Sequence, residues 1–130
     1  MHRQQVSSGT PWEERVGYSR VVRVGQFVYV SGTVAADETG TIQHPGDLYG
    51  QSVYVLRKIE AALTAVEANL AHAVRTRSYI VNMDEHEQFA KAHREFFADI
   101  RPANTLVEVS RLATPDVLVE IEVDAVLPES

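Results

Sequence analysis

Residues 117–126 alternate with a period of two along their whole length, and only an extended strand sorts such a run into two faces. Val117, Val119, Ile121, Val123 and Ala125 fall on one face. Leu118, Glu120, Glu122, Asp124 and Val126 fall on the other. The first set needs an apolar cover, so the chain must lay helices or a second sheet against it. The second set places three acids between apolar ends, and acids in a row ordinarily face water.

The cover is found in two helical stretches. Over residues 47–70, Val53, Leu56, Ile59, Leu63, Val66 and Leu70 recur at spacings of three and four, which makes one apolar stripe. Ala61, Ala62, Ala65 and Ala68 favour helix, and Asp47 is placed as its N-cap. A second helix is expected from Asp84, with Glu87 at the spacing of a capping box. Phe89, His93, Phe96 and Phe97 form its inner stripe, and Pro102 stops the region.

The other strands follow from composition and turns. Val21, Val22 and Val24, then Gly25-Gln26, then Phe27-Val28-Tyr29-Val30 predict a β-hairpin. Residues 74–82 and 105–109 are rich in strand formers, and Thr114-Pro115-Asp116 is the last turn. A short strand at Thr41-Ile42 is expected inside the loop of residues 35–48. Residues 1–16 are polar and are expected to be an arm or loop. The order is β-β-α-β-α-β-β: an α+β fold, two layers, one mixed sheet with two helices on one face. With 130 residues, 45% of them hydrophobic, the sequence predicts a single domain over residues 1–130 with a core of its own.

Composition removes several functions. There is no cysteine, so disulfides, thiolate metal sites and cysteine nucleophiles are excluded. A net charge of −6 disfavours nucleic acid as a partner. No apolar run reaches the ~20 residues that span a bilayer. No membrane partner is expected, and the reading is a soluble, cytoplasmic protein. His86-Glu87 begins like a zinc helix, but Ala90 stands where the second ligand belongs. His86 and His93 are too far apart on a helix to share one ion, so no metal is expected. The glycines match neither a P-loop nor a dinucleotide fingerprint. His93 is expected to be a satisfied core histidine, and Trp12 to pack the arm onto the body.

The strand at residues 105–109 adds to the acidic face. With Thr105, Val107 and Val109 turned toward the helices, Asn104, Leu106 and Glu108 lie beside Glu120, Glu122 and Asp124. A face mixing leucine, valine and acids suits contact between subunits, with a neighbour's arginine meeting the acids. Arg20, Arg23, Arg75 and Arg77 are the candidates.

Arg101-Pro102-Ala103-Asn104-Thr105-Leu106-Val107-Glu108-Val109-Ser110-Arg111-Leu112, followed by Val119-Glu120-Ile121-Glu122, resembles the signature of the Rid (reactive intermediate deaminase) family, also called YjgF-like or L-PSP endoribonuclease-like. Val28-Tyr29-Val30-Ser31-Gly32 is similar to its early strand and Ser-Gly element, and Glu95-Phe96-Phe97 also fits. The resemblance spans about Tyr18 to Val126. It implies a chorismate-mutase-like α+β fold and a homotrimer with small-molecule clefts between subunits. It also implies cofactor-independent addition of water to a reactive enamine or imine such as 2-aminoacrylate or 2-iminopropionate, releasing ammonia.

Residue by residue, the resemblance assigns Glu120 to orienting the attacking water and Tyr18 to the cleft. Ser31 and Gly32 fall on pocket-lining positions, and Asn104, Thr105, Leu106 and Trp12 complete the candidate substrate-binding set. Deaminase members have Pro-Ala-Arg-Ser where this chain has Pro102-Ala103-Asn104-Thr105, and Leu106 stands at a position that is Cys in several members. That Arg clamps the substrate carboxylate through a bidentate pair, and a neutral amide cannot. Either the substrate lacks a carboxylate or another cation, such as Arg20, replaces the clamp. Two functions follow: a Rid-type hydrolase or deaminase with doubtful activity on 2-iminopropionate, or a non-catalytic ligand-binding or regulatory homotrimer. RNA cleavage, a historical label on the family, fits poorly with the acidic balance.

Overall fold

The computed structural model describes residues 2–129. Its centre is a six-stranded sheet in the order β1-β2-β3-β6-β4-β5. The strands are β1 (Arg3–Val6), β2 (Val21–Val24), β3 (Phe27–Thr33), β4 (Ala73–Ile80), β5 (Ala103–Glu108) and β6 (Val119–Val126). β4 and β5 run parallel and every other pair is antiparallel. Helices α2 (Leu48–Ala65) and α3 (His86–Phe97) pack on each other, and α2 lies against β3 and β6. This is the expected two-layer α+β arrangement.

The apolar face of the last strand sits where its alternation requires. Val119, Ile121, Val123 and Ala125 are all buried, among Val28, Val30, Leu56, Ile59 and Leu63, while Val117, also buried, precedes the strand, which starts at Val119. The hairpin turns at Gly25, whose φ of 60° suits a residue without a Cβ. Asp47 caps α2 by accepting the Gly50 N–H at 2.9 Å. The helix stops at Ala65, short of residue 70, because Glu67 takes a φ of 66°. The loop of residues 35–48 contains one bridge, Ala36 to Ile42.

The capping box expected at Asp84 and Glu87 does not form. Asn82 instead accepts the Asp84 N–H at 3.0 Å and starts a 3-10 turn, Met83–Glu85, before α3 begins at His86. His93 is half-buried, 4.7 Å from the Phe97 ring, with Nε2 2.9 Å from the Thr76 hydroxyl. It is the satisfied histidine that its stripe position predicts.

The first sixteen residues are the main correction to the sequence reading. They hold an edge strand, β1, and a short helix, α1 (Pro11–Val16). Pro11 pre-sets the first helical turn, and Gly17 closes it in the left-handed region at φ 91°. What fixes the segment is Glu13, only 3% exposed. Its carboxylate accepts from Ser7 Oγ at 2.8 Å, Thr10 Oγ1 at 2.8 Å, the Ser8 N–H at 3.0 Å and the Ser8 hydroxyl. It also pairs with the Arg20 guanidinium at 3.2 Å. Burial pushes this carboxyl up, but the hydroxyls of Ser8, Ser7 and Thr10 and the Ser8 amide outweigh it and hold it down at about 2.

A carboxyl held below its ordinary 4.5 stabilises the fold fully above pH 4.5, and that contribution disappears as pH falls toward about 2. Glu13→Gln leaves Arg20 buried without a counter-charge and lowers stability at pH 7 by about 3 kcal/mol. Urea unfolding of both proteins at fixed concentration checks this. The gap between them is largest at neutral pH and narrows through that acidic window.

Candidate functional site

Arg20 precedes β2 and is 5% exposed. A guanidinium carries five N–H donors, and here four hydrogen bonds and an ion pair hold it. Nε and Nη2 reach Glu13 Oε2 at 3.2 Å. Nη1 donates to the Gly32 carbonyl at 2.6 Å and to Thr33 Oγ1 at 2.9 Å. Nη2 also reaches the Tyr18 hydroxyl oxygen at 3.4 Å. With that oxygen accepting, the Tyr18 O–H is free to donate elsewhere.

The Gly32 carbonyl lies in a β-bulge. Val30 pairs with Val123 but Thr33 pairs with Ile121, so β3 carries one extra residue there. The bulge brings Gly32 beneath the Glu120 side chain of β6. A Cβ on Gly32 would stand 3.0 Å from the Glu120 carboxyl carbon and overlap its Oε2. Glycine is therefore required for Glu120 to lie across β3.

Glu120, Gly32, Tyr18, Trp12 and Arg20 line one cleft of about 190 Å³, closed by Val34, Ala36, Ala113 and Lys58. Burial pushes the Glu120 carboxyl above its usual range. The Arg20 charge opposes this and the Glu122 charge adds to it. No hydrogen bond from the described residues holds the Glu120 carboxylate. An acid so placed exchanges protons with a bound molecule more readily than a paired one does.

Lys58 of α2 was missed in the sequence. Its Nζ donates to the carbonyls of Val34 at 3.1 Å and Ala36 at 2.7 Å. Burial and the Arg20 charge pull its ammonium down to about 8, against Glu13 and Asp37. A lysine between Arg57 and Glu60 looks solvated. The available signal was its spacing with Gln51, Val55 and Ala62, all buried on the same stripe.

The remaining candidates lie elsewhere. Ser31 points away from the cleft, and its hydroxyl donates to the Ser19 carbonyl at 2.6 Å. On β5 the expected faces are reversed. Asn104 pairs in register with Thr76 and Leu106 with Ser78, both buried on the helix side. Asn104 Oδ1 accepts from Thr76 Oγ1 at 2.9 Å. Thr105 pairs with Arg77, so Thr105 and Val107 share the open face with the acids. Parallel pairing with β4 sets this register, and nothing local in residues 103–108 encodes it. The arginine that meets the acids is Arg77 of the same chain, 3.2 Å from both Glu122 and Asp124. Among the described residues no three His, Asp or Glu side chains converge as a metal site. No helix is long and apolar enough to cross a membrane.

Gly32→Ala tests the arrangement directly. The obstructing atoms end a flexible side chain, so the fold survives and Glu120 swings out of place. The thermal midpoint moves by a few degrees at most, while any chemistry that uses Glu120 falls on the order of 10²-fold. Melting curves and activity measured on one preparation check both parts.

Comparison with known proteins agrees with this architecture. The family described as Endoribonuclease L-PSP matches residues 11–127. A Mycobacterium tuberculosis protein of the YjgF/YER057c/UK114 family superposes with a TM-score of 0.88. It shares 41% sequence identity, and the match covers 97% of this chain and 100% of that one. A RutC family protein from Pyrococcus abyssi is 36% identical over 106 residues, 81% of this chain and 82% of that protein. The 3-aminoacrylate deaminase RutC of Acinetobacter baylyi is 29% identical over 104 residues, 80% of this chain and 82% of that protein. On a match this long, and on a fold this similar, the chain belongs to the Rid family, the YjgF-like or L-PSP endoribonuclease-like proteins.

Proposed function

We propose that this protein is a small-molecule hydrolase of the imine or enamine deaminase type, working without a cofactor in the Glu120 cleft. The observation that carries the reading is the Glu120 carboxyl: half-buried, unpaired and raised, beside Tyr18 and Trp12. In the reaction, water adds to the carbon of a C=N bond. Glu120 takes a proton from that water and returns it to nitrogen. The resulting carbinolamine passes its hydroxyl proton to the amine, again through Glu120, as the C–N bond breaks, leaving a carbonyl compound and ammonia. Tyr18 donates its free O–H to the substrate or to the water. The name of the Acinetobacter baylyi relative gives family-level support for ammonia release from an enamine.

The cleft is completed by a neighbouring subunit. Phe27, Tyr29 and Val107 are 44%, 50% and 39% exposed, and all three sit on the uncovered side of the sheet. Large apolar groups around a partly neutralised acidic row suit an interface, and a homotrimer is the assembly that the family resemblance supplies. In that assembly Thr105, on the open face of β5, reaches toward the cleft from the partner, while Asn104 and Leu106 share the face of Thr76 and Ser78. Asn104, whose amide oxygen accepts from Thr76, stands where the resemblance places a carboxylate-clamping guanidinium, so 2-iminopropionate is a poor substrate.

Ammonia release from a panel of freshly generated small imines tests the reading. Glu120→Gln lowers turnover of the preferred imine on the order of 10²-fold or more. Turnover of 2-iminopropionate stays well below that of the best substrate. Ligand binding with no turnover of any imine would instead support the non-catalytic alternative. Light scattering on a sizing column gives a trimer mass at micromolar concentration. A clean monomer there contradicts the shared cleft.

A further inference from the structure

Lys58 has the setting of a nucleophilic amine. It is half-buried on the wall of the Glu120 cleft, with Nζ bonded to the Val34 and Ala36 carbonyls. A neighbouring cavity of about 220 Å³ also touches Lys58, but Val34 and Ala36 line only the cleft. The amine head therefore stands at the cleft, and the second cavity meets its stem. A neutral amine keeps two N–H bonds and gains a lone pair. The two carbonyls accept two N–H bonds, at 3.1 Å and 2.7 Å, so Lys58 can lose a proton with both carbonyls still satisfied. The proton lost is the one that neither carbonyl holds, and the lone pair that replaces it points away from both.

The surroundings favour that loss. The charges of Glu13 and Asp37 support the ammonium, but burial and the Arg20 charge outweigh them and bring it down to about 8. At pH 8 about half of Lys58 is uncharged, on the order of a hundredfold more than for a lysine that titrates at 10.5. A lysine made neutral by desolvation and a neighbouring cation attacks carbonyl carbon. Lysine occurs at one other position, Lys91, which is exposed on α3 over the Tyr49 ring.

We propose that Lys58 is a covalent capture site for short uncharged aldehydes that enter this cleft. Nζ adds to the aldehyde carbon and passes a proton to the new oxygen, giving a carbinolamine. Water then leaves, made from that hydroxyl and the remaining N–H proton, and a C=N bond joins Nζ to the ligand carbon. The cleft volume of about 190 Å³ sets the length of the aldehyde. Its lack of charge follows from the cations: Arg20 is paired with Glu13, and a neutral Lys58 offers no charge to a carboxylate.

Reductive trapping tests this on the intact protein. Propanal with cyanoborohydride at pH 8 converts any imine to a stable propylamine, and peptide mass mapping reads Lys58 and Lys91 separately. Lys58 is propylated about tenfold faster than Lys91 or more, although Lys91 is the exposed one. In urea the preference disappears, because it belongs to the folded cleft. Glyoxylate, an aldehyde of similar size that carries a carboxylate, shows a smaller preference for Lys58 over Lys91. Equal rates at the two lysines, faster labelling of Lys91, or no trapped adduct at all overturns the proposal. So does a preference that persists in urea, or a stronger one with glyoxylate. Trapping needs no turnover, so a protein that hydrolyses no imine yet labels at Lys58 removes the proposed reaction and leaves the capture site standing.

Discussion

The buried pair of Glu13 and Arg20 is the contact on which the rest of the site depends. Neither charge has access to bulk water, and each survives burial because hydrogen bonds satisfy it on every side. On the Glu13 side the carboxylate gathers Ser7, Ser8 and Thr10 and so holds the first sixteen residues in place. On the Arg20 side the guanidinium grips the Gly32 carbonyl and fixes the bulge of β3. One pair thus connects the edge strand β1 and helix α1 to the part of the sheet where Glu120 lies.

The cleft inherits its electrostatics from that pair. Because Arg20 is paired with Glu13, its charge only partly offsets the burial that raises the Glu120 carboxyl. For the same reason it cannot clamp an anionic ligand. The second cation of the cleft is Lys58, which reaches in from the helix layer and donates to the Val34 and Ala36 carbonyls. Glu120 from the sheet and Lys58 from the helix layer thereby face one small cavity.

Much of the fold was legible because local pattern and tertiary demand agree. The alternation of residues 117–126, the Gly25-Gln26 hairpin and the stripe of α2 each encode one face or one turn. Glu120, Tyr18 and Gly32 were named through family resemblance and Trp12 from its place in the arm, and one chain brings them together. What stayed hidden depends on distant partners. Arg3-Gln4-Gln5-Val6 has no apolar alternation, and β1 exists only because β2 and the Glu13 hub hold it. The face of Asn104 is set by register with Thr76, a strand away. Lys58 looked solvated because helical periodicity was traced through its apolar residues and not through Gln51.

The central claim is that Glu120 is an unpaired, proton-exchanging acid in a desolvated cleft framed by Glu13 and Arg20. Side-chain ¹³C NMR titration of the Glu120 carboxyl measures that state directly in the intact protein. The account predicts a midpoint clearly above the ordinary glutamate value of 4.5. A midpoint at or below 4.5 would show Glu120 to be solvated or paired, and would contradict its role as the group that handles water.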